Sequence, residues 1–167
     1  MKKTIAVLCS LAIMLVCVGG CGAAGENPFT AENAIKGQVG DLYYVVPENA
    51  VLEEFPNDSA RFYNIPIENS SEEYRLNIMC VSVETDDDYN EVIQSMKDTE
   101  DEKENLAEFL GEKVDYGYRA TVDVDDQKST IVFVVKDPKI YVVQYIVKSG
   151  FYDQAVWDNF YSQLKFV

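Results

Sequence analysis

The sequence predicts an α+β domain in which an antiparallel β-sheet of about six strands is flanked by helices, in the order β-β-β-α-β-β-β-α. Two observations predict this class. Apolar and polar residues alternate with a period of two over much of residues 114–148, as in strands, and turn-forming residues interrupt the run twice. Elsewhere apolar residues recur three and four positions apart, as in helices that bury one face. Because the last strand carries apolar residues on both sides, we expect layers above and below the sheet, an α/β/α sandwich.

Three strands are predicted first. Residues 41–46 and 61–65 are rich in β-branched and aromatic residues, and each run stops at a proline, so we expect the two to pair as a hairpin. Residues 75–83 form the third strand. Apolar side chains lie on both of its sides, which favours an interior position in the sheet.

Two helical segments are predicted between residues 86 and 111. The first begins in acidic residues that suit the helix dipole, and its apolar residues follow helical spacing: Tyr89, Val92, Ile93 and Met96. Residues 99–102 have the spacing of a capping box. They predict a second segment that ends at Gly111 and whose apolar residues are Leu106, Phe109 and Leu110.

A three-stranded meander and a terminal helix complete the predicted domain. The strands are residues 114–122, 129–135 and 139–148, with turns at residues 125–128 and 137–138. After the last strand, an apolar stripe predicts a helix that covers the sheet, formed by Tyr152, Val156, Trp157, Phe160, Tyr161 and Leu164.

The N-terminus has the features of a bacterial export signal. Lys2 and Lys3 precede an apolar run over residues 5–18, which is too short for a membrane span of about 20 residues. Val18-Gly19-Gly20-Cys21 follows, and this order resembles the lipobox of bacterial lipoproteins, in which the cysteine thiol takes up a diacylglycerol. We therefore expect a lipid anchor on Cys21, with fatty acids such as palmitate. The alternative is a secreted protein that is cut nearby and keeps Cys21 as a free thiol.

These features divide the chain into a lipoprotein signal peptide at residues 1–20, a flexible tether at residues 21–40 and a single α+β domain at residues 41–167. The tether is predicted because its residues are small and polar and show no sustained period. Phe29 and Ile35 could instead attach part of it to the domain. Processing at Cys21 places the domain on the extracytoplasmic face of the cell membrane.

The charge of the chain limits the partners that it can bind, and its cysteine content limits the disulfides that it can form. The chain has 14 basic and 29 acidic residues and a net charge of −15, so we expect it to repel nucleic acid and anionic lipid headgroups. Cys9 and Cys17 leave with the signal peptide. Once Cys21 is acylated, only Cys80 remains, and no internal disulfide is expected. Cys80 lies among apolar residues of a predicted strand, which favours a buried thiol over a nucleophile.

Several classes of enzyme are excluded. The sequence contains no histidine, which removes Ser-His-Asp and Cys-His catalysis and histidine metal sites. It also lacks a G-x-S-x-G elbow, a glycine-rich phosphate loop and a C-x-x-C pair. We therefore expect no cofactor and no enzymatic activity.

Carboxylates are the abundant reactive groups. Asp123, Asp125 and Gln127 have the odd spacing of a calcium loop, but Lys128 stands where that loop needs glycine. A hairpin turn is the better interpretation. The acidic run over residues 84–104 is interpreted as a solvated helix face, so no dedicated metal site is predicted.

Tyrosines form a second group of candidates, and the chain has eleven of them. Tyr141 and Tyr145 share one side of the last predicted strand. They are possible partner-binding residues, because tyrosine is enriched at protein interfaces. The alternative is that both pack under a helix as sheet-forming residues.

The layout as a whole resembles the PsbP/DcrB-like fold: an opening strand that runs into Pro47, a three-stranded meander, and a last helix that ends in Leu164-Lys165-Phe166. The resemblance covers nearly the whole chain after the signal peptide. It implies an antiparallel sheet flanked by helices. Relatives include photosystem accessory proteins, bacterial lipoproteins and a Ran-binding transport factor, so it also implies protein binding without chemistry.

We therefore expect a membrane-anchored extracytoplasmic lipoprotein that serves as a non-catalytic protein-binding or assembly module, with an envelope protein as its partner. The alternative is a solute- or cation-binding lipoprotein, and a carboxylate hydrolase comes third. A cavity lined by tyrosines and acids would favour the alternative, whereas a solid core with an exposed aromatic patch would favour protein binding.

Overall fold

A computed structural model of the chain describes residues 27–53, 58–83, 90–91, 93–94 and 103–167. Within this part, strands predominate and form sheets of seven, three and two strands. The strands are β1 (Ile35–Val39), β2 (Leu42–Val46), β3 (Val51–Leu52), β4 (Ala60–Pro66), β5 (Glu73–Ser82), β6 (Lys103–Asn105), β7 (Glu108–Phe109), β8 (Glu112–Lys113), β9 (Tyr116–Val124), β10 (Gln127–Lys136), β11 (Lys139–Lys148) and β12 (Lys165–Phe166). Helix α1 spans Gln154–Tyr161 and follows a 3-10 turn at Ser149–Phe151.

The seven-stranded sheet has the order β3-β4-β5-β11-β10-β9-β6, and its neighbouring strands are antiparallel. Its centre contains the predicted meander, in which β9, β10 and β11 pair around turns at residues 125–126 and 137–138. Strand β5 lies between β4 and β11. The interior position predicted for this strand is confirmed.

The three-stranded sheet has the order β1-β2-β12 and lies against the larger one. Tyr44 of β2 joins the two sheets, because its hydroxyl is 3.0 Å from the hydroxyl of Tyr63 in β4. The Tyr44 ring crosses the backbone of β1 at Gly37, where any Cβ would overlap it. Glycine is therefore required at this position by close approach.

The core lies between the two sheets, with α1 closing it. We call the face of the seven-stranded sheet that lines this core the inner face. The largest fully buried side chains of the core come from both sheets and from α1. They include Leu42, Tyr44, Leu76, Ile78, Tyr141, Tyr145, Trp157 and Phe160. The opposite, outer face is buried at Phe133 and Val135 of β10, which are 7% and 0% exposed, and half-buried at Met79, Ile131 and Val142.

The predicted α/β/α sandwich is wrong. The described chain is mostly β-sheet, and the layer over the inner face is a three-stranded sheet with α1 beside it. A second sheet can bury the apolar inner face just as a layer of helices would, because each layer contributes one apolar face. The short strands β1 and β12 pair with β2 on its two sides and complete this second sheet.

The second predicted helical segment is also wrong where it is described. Residues 103–105 form β6, and β7 and β8 pair as a small hairpin. Leu110 and Gly111 form its turn with φ of 52° and 82°, the left-handed conformation of a type I′ turn. Phe109 is 0% exposed, with its ring 5.6 Å from that of Phe166. This tertiary burial outweighs local helical spacing.

The first predicted helix is described in part. Residues 90, 91, 93 and 94 are helical, whereas Tyr89, Val92 and Met96 lie outside the described residues. The capping-box residues 99–102 also lie outside them.

The predicted hairpin of residues 41–46 with 61–65 is wrong as well. Residues 42–46 form β2, which pairs with β1 and β12, while residues 61–65 belong to β4 in the other sheet. Gly40 has a φ of 60°, which permits a tight turn between β1 and β2. The closest partner of β2 therefore precedes it in the chain.

The last long strand, β11, is buried on one side and half-buried on the other, so the cover predicted for both sides is unequal. Its inner-face residues are buried: Tyr141, Val143, Tyr145 and Val147. Its outer-face residues, Ile140, Val142 and Ile146, are half-buried. The predicted alternation of residues between the two sides of β11 is confirmed, but apolar residues on both sides are not buried to the same extent.

Residues 27–40, placed in the tether by sequence, belong to the folded part. Phe29 is 1% exposed and its ring lies 5.9 Å from that of Phe160. The Asn27 side-chain amide donates to the Asn159 side-chain oxygen at 2.9 Å, and residues 35–39 form β1. Phe29 and Ile35 thus attach this segment to the domain. None of the helices among the described residues is long and apolar enough to cross a membrane.

Candidate functional site

A polar cluster joins the two sheets where the chain turns between β1 and β2. The Asp41 carboxylate accepts a hydrogen bond from the Tyr141 hydroxyl at 2.8 Å and lies 2.9 Å from Lys139 Nζ. The Cys80 thiol lies so close to Gly40 that a Cβ on this glycine would overlap it. Four side chains with reactive groups therefore meet at one end of the core.

Charge pairing fixes the protonation states in this cluster. Burial alone would raise the pKa of Asp41, but hydrogen bonds from Lys139 and Tyr141 outweigh burial and hold the pKa below its ordinary value. The hydrogen bond to Asp41 raises the pKa of Lys139. Burial, followed by the charge of Asp41, raises the pKa of the Cys80 thiol.

The cluster is therefore poorly suited to nucleophilic catalysis. A raised pKa keeps the Cys80 thiol protonated at neutral pH, and the thiolate is the nucleophilic form. Asp41 is held in an ion pair, which lowers its capacity to accept a proton. The arrangement stabilises the contact of the β1–β2 turn with β11. Cys80 is 6% exposed, and its predicted burial is confirmed.

Tyr141 and Tyr145 both lie in the core and are 1% exposed. The Tyr145 ring is 5.6 Å from that of Tyr74 and 5.5 Å from that of Tyr152. Burial raises the pKa of Tyr145 to about 12. Both tyrosines therefore pack in the core and neither ring is on the surface, but Tyr141 packs against Phe109 of β7 and Phe166 of β12 rather than under a helix.

Asp123, Asp125 and Gln127 belong to the β9–β10 hairpin. Val124 pairs with Gln127 across a two-residue turn, in which Asp125 has a φ of 55°. Asp123 lies 3.8 Å from Lys128 Nζ. The hairpin interpretation is confirmed. Among the residues that the structure describes, no group of three or more acidic or cysteine side chains is placed to hold a metal ion.

Exposed apolar side chains belong to the β9–β10 hairpin and to the segment that is hydrogen-bonded to its turn. Val122, Val124 and Phe151 are 37%, 59% and 41% exposed, and we call them the hairpin-end patch. The Ser149 N–H donates to the Asp126 carbonyl at 2.7 Å, which brings the segment of Phe151 beside the turn. The residue pattern of the sequence does not predict this patch. Its one signal was that apolar residues continue into an acidic turn.

A polar cleft of about 430 Å³ adjoins the patch, lined by Asp126 and Gln127 of the same turn. The cations in its wall are already paired. Lys148 lies 3.1 Å from Glu72, and Arg75 lies 3.1 Å from Glu53.

Cys21, the predicted site of lipid attachment, lies outside the described residues. The described chain begins six positions after it, at Asn27.

Comparison with known proteins supports the fold. No protein-family model matches the chain, and no match was found among curated sequences. Among solved structures, the chain is similar to the solution structure of cyanobacterial PsbP from Synechocystis sp. PCC 6803. The two are 12% identical with a TM-score of 0.53, and the match covers 90% of this chain and 99% of that one. The likeness shows a PsbP-like fold.

Proposed function

We propose that this chain is a lipoprotein held on the extracytoplasmic face of the cell membrane by a lipid on Cys21, and that its PsbP-like domain binds another envelope protein without catalysing a reaction. The observation that carries the anchoring is Val18-Gly19-Gly20-Cys21 at the end of an apolar run. Small residues before the cysteine allow the chain to enter a signal peptidase in extended form.

Chemistry and surface composition support the binding role. The chain has no histidine. In the polar cluster, Asp41 is ion-paired with Lys139, and Cys80 is buried. The hairpin-end patch exposes three apolar side chains beside an acidic turn. A partner of complementary chemistry presents an apolar surface bordered by basic residues.

A pair of matched substitutions tests the binding role. Val124 and Val51 are both 59% exposed and lie near opposite edges of the same sheet. Each Val→Asp change therefore adds one charge at equal exposure. We expect a protein that co-purifies with the tagged wild type from its own membranes to be lost with Val124→Asp and kept with Val51→Asp.

Rebinding completes this test. The captured protein, once purified, should bind the wild-type lipoprotein and its Val51→Asp variant with similar affinity and bind Val124→Asp at least about tenfold more weakly, as expected when a charge is buried at a contact. Equal binding to all three would show that the hairpin-end patch is not the contact surface.

A further inference from the structure

The three-stranded sheet buries one face against the core, and its other face carries a groove over β2. Tyr43 stands opposite Gln38 of β1 and Lys165 of β12, while Val45 stands opposite Lys36. Lys36 and Lys165 therefore flank β2 on its two sides. Residues 29–32 and 162–165 help to line the groove, which has a volume of about 500 Å³.

The two lysines of this groove are uncompensated. The described part of the chain contains seven ion pairs, and neither Lys36 nor Lys165 takes part in any of them. Both side chains are exposed, and Lys165 Nζ lies 4.6 Å from the centre of the Tyr43 ring. Glu32 also lines the groove but pairs with neither lysine. The charged lining residues are thus two lysines and one glutamate, which gives the groove a net positive charge in a chain with a net charge of −15.

The described part of the chain begins at the rim of this groove. Phe29 lines the groove and is buried, and Asn27 is bonded to Asn159 next to it. Cys21 precedes Asn27 by six residues, which reach about 20 Å at most when fully extended. A lipid on Cys21 would therefore hold the rim of the groove within about 20 Å of the bilayer surface.

We infer that this groove rests on the membrane and takes the phosphate of a phospholipid headgroup between Lys36 and Lys165. The inference rests on the proposed anchoring through Cys21. Ammonium groups bind phosphate as point charges, and tyrosine rings favour the depth of the headgroups. The acidic remainder of the domain is repelled from an anionic surface, so anchor and groove together orient it.

Lysine reactivity tests the inference on the full-length acylated protein. The protein is placed in vesicles of phosphatidylcholine and phosphatidylglycerol, whose headgroups carry phosphate but no primary amine, or kept in dodecyl maltoside, which contains no phosphate. Brief acetylation is followed by mass spectrometry. We expect Lys36 and Lys165 to react about fivefold more slowly in vesicles, as for ammonium groups held against phosphate. Lys113 also takes part in none of the seven ion pairs and does not line the groove, so its rate should not change.

Variants supply a second readout in the same vesicles. Nitration of Tyr43 should be slow in the wild type and in Lys113→Gln, and it should become faster when Lys36→Gln and Lys165→Gln are combined. Nitration as slow in the double variant as in the wild type would overturn the role of the lysines.

The outcomes separate the two proposals. Protein that floats with the vesicles but has equal Lys36 and Lys165 reactivity in vesicles and detergent overturns the groove and leaves the anchoring intact. Protein that does not float with the vesicles overturns the anchoring, and the groove falls with it.

Discussion

Phe160 is the residue whose truncation tests the packing of α1 most directly. Its side chain is 0% exposed, and the rings of Phe29 and Trp157 lie 5.9 Å and 6.2 Å away. Phe160→Ala leaves a cavity, so we expect the free energy of unfolding to fall by about 3–5 kcal/mol. Urea denaturation followed by the emission of Trp157, the one tryptophan in the chain, measures the loss.

Phe151 provides the matched control for this change, because its side chain is 41% exposed. Phe151→Ala should cost less than about 1 kcal/mol. A similarly small loss for Phe160→Ala would show that α1 does not cover the core.

Asp41 gives the fold a defined pH dependence. Its pKa in the folded chain lies below the ordinary value of 3.8, so the unfolded chain binds this proton at higher pH than the folded chain does. The stability from ionised Asp41 is therefore present above the unfolded pKa and is lost as the pH falls through the folded pKa. Asp41→Asn should be less stable than the wild type at pH 7, and this difference should shrink toward about pH 3.

The comparison needs a control carboxylate. Glu108 on β7 is exposed, and Glu108→Gln should follow the wild-type stability across the same range. A difference between wild type and Asp41→Asn that stays constant from pH 7 to pH 3 would assign the effect of Asp41 to packing rather than to charge.

Single residues also show where sequence reasoning succeeds. Cys80 was correctly placed because it continues the apolar side of its strand formed by Leu76 and Ile78, and that side lines the core. Tyr141 and Tyr145 were left with two roles. Their shared side follows from the period of two, but whether another layer covers that side depends on β2 and β12, which are distant in sequence.

At the scale of elements, the meander was predictable and the small sheet was not. Strands β9, β10 and β11 are joined by two-residue turns, so their pairing follows from local turn chemistry. Strand β2 pairs with β12 from the other end of the chain, a contact that no local pattern encodes. The helical prediction for the segment at residues 103–113 is wrong for a related reason. Phe109 is buried next to Phe166, a contact between residues that are distant in sequence.

The segment before β1 yields a prediction at this scale. Chains that begin at residue 22 or at residue 27 should be equally stable, since both keep Phe29 and Asn27. A chain that begins at residue 35 loses the buried Phe29 ring and should be less stable by at least about 3 kcal/mol. Equal urea midpoints for all three would show that residues 27–34 do not belong to the folded domain.

At the scale of the whole molecule, the sequence locates the proposed anchor and the structure locates the candidate contact surfaces. The signal at Cys21 is read from consecutive residues, so it needs no tertiary information. The hairpin-end patch and the groove over β2 depend instead on which apolar and basic side chains the fold leaves uncovered or unpaired. Packing across the two sheets decides which side chains these are, so the spacing of residues along the sequence does not predict them.

Lipid attachment to Cys21 is the central claim, and metabolic labelling of the full-length protein with palmitate tests it most directly. We expect the wild type and the control variant Cys80→Ala, which removes the buried thiol, to incorporate label and to sediment with the membranes. Cys21→Ala should incorporate none and should be released or remain unprocessed. Label on Cys21→Ala at the wild-type level would contradict the account.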